Sequence, residues 1–454
     1  MILQRKTIRY YYWLTVEFIR KHLRIILLSF FISFIAIISI ISFSPYIQTF
    51  LLQKKNVVGL VGQYDFNTLP EEVTKNISNG LLFINEKGDL SPAVASSWES
   101  LNKGKEYRFH LRDGLIWSDG KKFSASDINF KFSDIQVEVV DDKTLYFKLK
   151  EALPIFPAYL NEPILKYPLH GVAGLYKVDQ IKIKYGIITE LTLSPNKKGL
   201  PVTIYKFYKN ETDLVNAYKR GEINQMSTPK KTVADVFRDW KNSSISKSVD
   251  YSKLMTLFFN NSNQFMKDKE VRDAFISAID KRSFELSGEI ALGPIPPTSW
   301  AYSTNIKPQL FDKVIAEKTL NTGEDASTSA EIKLYTYYDY LNIAEQISKD
   351  LKDVGLKVTI NLISLNQPED FDLLLAFWNI PEDPDQYFYW HSTQKRGNLS
   401  NYVNVKIDKL LEDARNTSNI NERKRYYLEF QKVLEDDPPA DFLFFPYVYT
   451  IKRK

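Results

Sequence analysis

Residues 89–130 read DLSPAVASSWESLNKGKEYRFHLRDGLIWSDGKKFSASDINF, and their pattern decides what kind of chain surrounds them. Tyr107, Phe109 and Leu111 alternate with Arg108, His110 and Arg112, the period of two expected of a half-buried strand. Asp113-Gly114 and Asp119-Gly120 are turn dipeptides, because glycine takes the positive φ that tight turns need. Ser124 followed three residues later by Asp127 forms a short capping box, which opens a helical turn carrying Ile128 and Phe130. Trp98 and Trp117 add apolar surface at either end. Taken alone, the stretch predicts a compact β-rich unit with a small helix.

Working outward, 454 residues exceed what one hydrophobic core organises, so two or three domains are expected. Hydrophobic residues at 44% and charged residues at 25% place the chain with ordinary globular proteins. It contains no cysteine. A disulfide framework, a thiolate metal site, a cysteine nucleophile and a lipid-modified cysteine are therefore excluded. The net charge of +5 is confined to one end. Residues 1–53 carry six basic side chains (Arg5, Lys6, Arg9, Arg20, Lys21, Arg24) against Glu17, and the remainder is balanced. The body thus has no overall basic field to attract nucleic acid.

No charged residue occurs from Ile25 to Gln53, and the 19 residues Ile25–Phe43 are almost purely apolar. At 1.5 Å per residue they span roughly 29 Å, the thickness of a bilayer core. Basic residues before the run and a balanced body after it predict a cytoplasmic N-terminus and an extracytoplasmic body. A cleaved signal peptide shares the same basic-then-apolar order. The longer apolar run and the lack of an A-x-A-like site near Pro45 favour an uncleaved anchor over 25–47. Residues 7–24, basic and aromatic, read either as an interfacial helix or as a flank that sets orientation.

Further along, strands are expected at Asn56–Gly62, Gln136–Val140, Thr144–Leu149, Ile187–Leu193 and Val202–Tyr208. A helix from Asn210 is stopped by Gly221, and the buried strand GEINQMS follows it. Val271, Ala274, Phe275, Ala278 and Ile279 lie on one helical face. Strands Glu331–Leu334 and Lys357–Ile363 flank a helix, Leu341–Val354, ended at Gly355. Phe371–Trp378 reads as a fully buried strand.

The runs SPAVASSW and YRFHLRDGLIWSDGKKFSASD resemble the signature of the extracytoplasmic solute-binding proteins of peptide and nickel ABC importers, solute-binding family 5. Four further blocks resemble that family in the expected order. They are GLLFINEKGDL, HGVAGLYKV, LFFNNSNQFMKDKEVRDAFISAIDKRSF and the closing segment from SNYVNVKIDKLLEDAR to LEDDPPA. The resemblance covers residues 56 to about 450 and implies an α/β, two-lobed periplasmic-binding-protein-like fold. That fold carries an extra small β-rich lobe and is here preceded by one transmembrane helix. The expected division is a cytoplasmic segment (1–24), the anchor (25–47) and lobe I (56–84, 168–253 and 441–454). A small β-rich lobe (85–167) and lobe II (254–440) complete it. After Phe132 a hairpin follows almost at once where family members insert helix, so the small lobe is expected to be trimmed.

In peptide-binding members a carboxylate soon after the tryptophan of the Phe371–Trp378 strand holds the ligand's ammonium group. Here Pro381 occupies the usual position, and Glu382, Asp383 and Asp385 are the nearby candidates. The other reading of Asp383-Pro384-Asp385 is a turn that caps the next helix. Trp378 either walls a ligand pocket or packs as core. Trp300, in the Pro-rich loop 293–302, is a further ligand-binding candidate, as is Asn260, whose other reading is a turn cap. His22, His110, His170 and His391 show no metal spacing. No G-x-S-x-G, Walker loop or H-E-x-x-H occurs, so neither an enzyme nor a cofactor is expected. Asp436-Asp437, before two prolines, reads as a solvated turn.

The expected function is that of a membrane-anchored solute receptor of an ABC importer, with a small ligand, first of all an oligopeptide, held between two lobes. Its partners would be the permease subunits and the membrane, not nucleic acid. The alternatives are a non-transport sensor or surface protein that keeps the fold, or a binder of nickel or another solute.

Overall fold

In the computed structural model, the described residues are 2–51, 54–85, 88–130, 132, 134–321, 331–364, 368 and 371–454. The chain divides into two compact units, 1–56 with 199–202, and 57–198 with 203–454.

The first unit is dominated by one helix, Ile2–Leu51. Within it, Thr7–Ser39 is long and apolar enough to cross a membrane, and none of its most apolar stretch is buried by protein. Residues 7–24 are therefore continuous with the apolar run and form no separate element. The expected anchor 25–47 lies wholly inside this helix, although its side chains at 40 and 43–47 fall outside the described ones.

The second unit is two-lobed and α/β, built on a mixed sheet in which one strand serves both halves. That strand, Ala440–Arg453, is 14 residues long. Its first half pairs antiparallel with Lys253–Phe259, matching Thr256 to Phe442 and Phe258 to Ala440. Its second half pairs with Ser243–Val249 and with Gln225–Thr228. Beyond Gln225–Thr228 the sheet continues through Lys55–Val61, Val202–Tyr208, Ile187–Pro195 and Tyr176–Lys184. On the other side it continues through Lys253–Phe259, Leu373–Asn379, Glu331–Thr336 and Lys357–Leu362. The chain crosses between the halves at Asp250–Ser252 and again near Pro446, and Asp250 N–H donates to the Pro446 carbonyl at 2.9 Å.

Local chemistry explains these elements. Helix Glu211–Arg220 starts at Asn210, whose side chain accepts from Asp213 N–H, and ends at Gly221 with φ 78°. Helix Lys269–Ala278 buries Ala274, Phe275 and Ala278 as its pattern predicts. It also buries Arg272, which donates to the carbonyls of Met266, Lys267 and Pro438 and pairs with Asp437. Asp437 additionally accepts from Tyr402 Oη at 2.8 Å. The expected solvated turn at Asp436-Asp437 is thus, at Asp437, a charge partner, because a buried guanidinium requires one. Strand Leu373–Asn379 is buried as expected, but it is parallel only to Glu331–Thr336 and runs antiparallel to Lys253–Phe259.

The 89–130 stretch belongs to a separate four-stranded antiparallel sheet, in the order Ala95–Leu101, Glu106–Leu111, Thr144–Leu149, Ile135–Asp141. Glu106–Leu111 alternates half-buried with buried residues, and Ser124 N–H donates to the Asp127 carboxylate at 2.8 Å. Phe109, Phe147 and Phe156 stack edge-on or tilted in its core, with adjacent ring centroids 5.3–5.4 Å apart. Between the turn Ala125–Asp127 and strand Ile135–Asp141 no helix occurs among the described residues.

Leu257 is fully buried where its strand meets both neighbours, opposite Leu375 and Asp441. Leu257→Ala is expected to cost ~2–5 kcal/mol in urea unfolding. Val139→Ala, on the exposed side of the small sheet, should stay within about 0.5 kcal/mol.

Candidate ligand-binding site

Strand Leu373–Asn379 delivers its following loop to the point where the two half-sheets join. Ile380 N–H donates to the Ser252 carbonyl at 2.8 Å, extending the ladder by one residue. Pro381 and Pro384 then prevent further pairing, since proline has no N–H to give a ladder. Residues 380–386 consequently turn along the crossing segment. Ile380, Pro381, Glu382, Pro384 and Gln386 of this loop, with Tyr251, Ser252 and the Ile295–Ser299 loop, line a pocket of about 250 Å3.

The three candidate carboxylates sit on this loop, and each is already paired. Asp383 faces Arg423 from helix Ile420–Asp436 in a two-pronged ion pair, with Nη1 to Oδ2 at 2.9 Å. Arg423 is buried and also donates to Tyr427 Oη at 3.2 Å. Asp385 is 7% exposed. It accepts from Arg415 Nε and Nη2 at 2.9 and 2.6 Å, and from the Tyr159 hydroxyl. Its other oxygen accepts Tyr387 N–H at 3.2 Å, so it also opens the short helix Tyr387–Trp390. Glu382 pairs with Lys75 and accepts Asn161 Nδ2 at 2.9 Å.

Burial opposes charge on Arg415 and Arg423, yet the hydrogen bonds and attraction of Asp385 and Asp383 outweigh it and raise both pKa values. Burial, then the Asp385 charge, drives the Tyr159 hydroxyl well above its ordinary value, so it stays a donor. Burial and the Glu289 carboxylate push the Tyr251 hydroxyl up to about 12.

These contacts reach across sequence. Lys75 lies on helix Glu71–Ile77, Tyr159 on the turn Phe156–Leu160, and Asn161 just beyond it. The loop 380–386 is therefore met by the segments 71–77 and 156–161, which stand outside the half-sheet that carries it. Trp300 is met from the same direction. Gly88 (φ 84°) approaches it so closely that a Cβ there would lie 2.1 Å from the indole ring.

The structure brings Glu382, Asp383 and Asp385 to one loop and places Trp300 beside it, with its ring 5.2 Å from the Arg423 guanidinium. Trp378 is 6% exposed within the core, packs on Tyr389 and Trp390, and donates to Thr256 Oγ1 at 3.0 Å. Asn260 is buried and donates to the Phe371 carbonyl at 2.8 Å. It accepts from Ser262 Oγ and Asn401 Nδ2, fastening its own loop. His391 is buried against Tyr387, with Thr393 Oγ1 at 2.9 Å and Glu412 Oε1 at 3.4 Å. Among the described residues no three His, Cys, Asp or Glu side chains are grouped for a metal.

Sequence reading missed Lys75, Tyr159, Arg415 and Arg423, which stand 30 to 307 positions away from their partners. It also missed Gln386, adjacent to the acidic run and fully buried. Its one available signal was its place at the head of an aromatic cluster, QYFYW.

A continuous sheet with a pocket at the crossing of its halves, closed over by segments from elsewhere in the chain, is the architecture of a hinged binding protein. The chain belongs to the bacterial extracellular solute-binding proteins, family 5, whose model matches residues 89–399. It is 26% identical to the oligopeptide-binding protein AppA of Bacillus subtilis, over 86% of each chain. It is 21% identical to the di/tripeptide-binding protein 1 of Pseudomonas aeruginosa, over 86% of this chain and 87% of that one. Among solved structures, NikZ of Campylobacter jejuni in complex with Ni(L-His) superimposes with a TM-score of 0.72 at 25% identity, covering 88% of this chain and 94% of that one. AppA of B. subtilis with a nonapeptide superimposes at 0.70 and 23% identity over the same shares. The AppA sequence match runs over 472 positions while using 86% of a 454-residue chain. Roughly 80 of its positions thus have no counterpart here, in keeping with a shortened body.

Arg423→Met leaves Asp383 charged and unpaired in a largely buried site. The expected loss is ~3–5 kcal/mol in urea unfolding at pH 7. Adding Asp383→Asn should restore a substantial part of it, because the orphan charge is then gone.

Proposed function

We propose that this chain is the solute receptor of a peptide-importing ABC system, anchored in the cell membrane by its N-terminal helix, with the body outside the cytoplasm. The lobes are read as expected from sequence, lobe I (56–84, 168–253, 441–454), a small trimmed lobe (85–167) and lobe II (254–440), with one change: residues 441–445 pair with or pack beside Lys253–Phe259 and go with lobe II. The observation that carries the reading is the pocket at the lobe crossing, bordered by the loop 380–386. Lys75, Tyr159 and Asn161 close on that loop from the other side. A ligand seated there touches both sides and stabilises the closed arrangement by the difference in its contacts between closed and open states. Relatives whose names specify oligopeptides and di- or tripeptides support a peptide as the ligand. Of the six site candidates, Glu382 lines the pocket, and Asp383, Asp385 and Trp300 belong to the ion-paired cluster beside it. Trp378 and Asn260 hold the loops that carry them.

Two measurements test this. A peptide that binds should, at a hundredfold excess over its Kd, stabilise the full chain by about 2.7 kcal/mol. A rise of a few degrees in Tm is expected with short peptides and none with sugars. The opposite ranking removes the peptide reading. For the anchor, N-terminal sequencing of the membrane-extracted protein should begin at residue 1 or 2. A start near residue 50 would show a cleaved signal instead.

A further inference from the structure

Four side-chain hydrogen bonds that join residues 56–249 to residues 254–439 meet at one place. Lys75 and Asn161 donate to Glu382, Tyr159 donates to Asp385, and Arg415 donates to Tyr159 Oη at 3.2 Å. In the lobes as read above, these bonds tie lobe I and the small lobe to lobe II beside the pocket that Glu382 lines. The two acids differ in who answers their charge. Asp385 is held by Arg415 of its own lobe, with Nη2 at 2.6 Å, so its charge is settled whether or not the lobes meet. The ion-pair partner of Glu382 is Lys75, from the other lobe.

Lys75 lies on helix Glu71–Ile77 and pairs at the same time with Glu71, one turn earlier, at 2.7 Å. Burial works against its charge, yet the bonds to Glu382 and Glu71 outweigh it and raise its pKa, so the ammonium persists. Glu162 stands near enough to feel Glu71, Lys75 and Glu382 together, and burial followed by the Glu71 charge raises its pKa. Lys75 is thus set among three carboxylates. Glu71 and Glu162 belong to lobe I and the small lobe, and Glu382 belongs to lobe II. Like charges within a Debye length repel. Without an ammonium between them, the approach of Glu382 to Glu71 and Glu162 would be opposed.

We propose that Lys75 is a positioning residue for ligand capture: its ammonium holds the acidic edges of the lobes together, so that it sets how far the receptor is closed and scales affinity for every ligand by one factor without choosing among them. The single factor follows because a binding-competent state populated to a given fraction weakens apparent affinity by that fraction. This rests on the two-lobed receptor reading above and not on the chemistry of the ligand.

The chain has no cysteine, so Lys209→Cys in lobe I and Lys352→Cys in lobe II, both at exposed positions, carry two spin labels with no competing thiol. Double electron–electron resonance on the full chain in detergent, with no peptide added, then gives the populations of short and long separations. Lys75 and Glu382 keep 36% and 49% of their side-chain exposure, so substituting them should leave urea unfolding nearly unchanged. In about 20 mM NaCl, Lys75→Met should raise the ratio of long to short separations about two- to fivefold, the scale of an exposed ion pair. The excess should shrink in about 1 M NaCl, where a Debye length of about 3 Å screens the repulsion left behind. Adding Glu382→Gln to Lys75→Met removes the repelled charge and should likewise bring back the short separation. Identical distributions in wild type and Lys75→Met would overturn the inference. An excess that survives either treatment would overturn it too, because it marks a packing role. Neither result touches the peptide reading, which the thermal shifts with peptides test separately.

Discussion

A single strand, Ala440–Arg453, holds the body of this protein together. Its first residues complete one half-sheet and its last residues complete the other, so neither half is finished without the C-terminus of the chain. Phe442, Leu443, Phe444 and Phe445 are all buried along it. An extended ladder bends readily at a proline and resists shear elsewhere, and Pro446 lies where the pairing changes from one half to the other. The Asp250 N–H to Pro446 carbonyl bond fastens the second crossing strand at the same level. Motion of one half relative to the other is thereby confined to a narrow seam, and the candidate pocket opens on that seam through Tyr251 and Ser252.

From this follows the placement of the acidic loop. Strand Leu373–Asn379 runs antiparallel to Lys253–Phe259, the strand that emerges from the crossing, so its C-terminal end arrives at the crossing. Any residues that follow it must lie against the seam. The two prolines ensure that they form a loop there instead of prolonging the sheet. Position is thus set by topology, and chemistry by the side chains that topology gathers around it.

Much of the fold was legible in the sequence because its signals are local. The alternation through Tyr107–Leu111, the Asn210 and Gly221 caps and the buried face of Lys269–Ala278 all act within a few residues. The site was legible only as a location. Three carboxylates near a tryptophan pointed to the loop 380–386, but their electrostatic state depends on Lys75, Arg415 and Arg423, whose partnerships no periodicity announces. Asp437 shows the same limit. Beside two prolines it looks like a surface turn, and only the fold brings Arg272 to it. Trp378 and Asn260 were each open to two readings for a related reason: an indole or a primary amide serves a core or a ligand equally well until its hydrogen bonds are assigned. Here Thr256, Phe371, Ser262 and Asn401 take them.

The pairing of the loop's acids has a consequence for recognition. A carboxylate at a seam between two lobes is desolvated when they close, and an unpaired one would resist closing by several kcal/mol or take up a proton. One remedy is to let the ligand bring the countercharge, so that closing and binding coincide. This chain adopts the other remedy, supplying Arg415, Arg423 and Lys75 from its own elements. On the reading proposed above, closing then needs no cationic ligand, and Tyr159 and Asn161 donate to the same carboxylates, Asp385 and Glu382. On that reading the charges hold the frame, and discrimination among ligands falls to the uncharged part of the pocket wall.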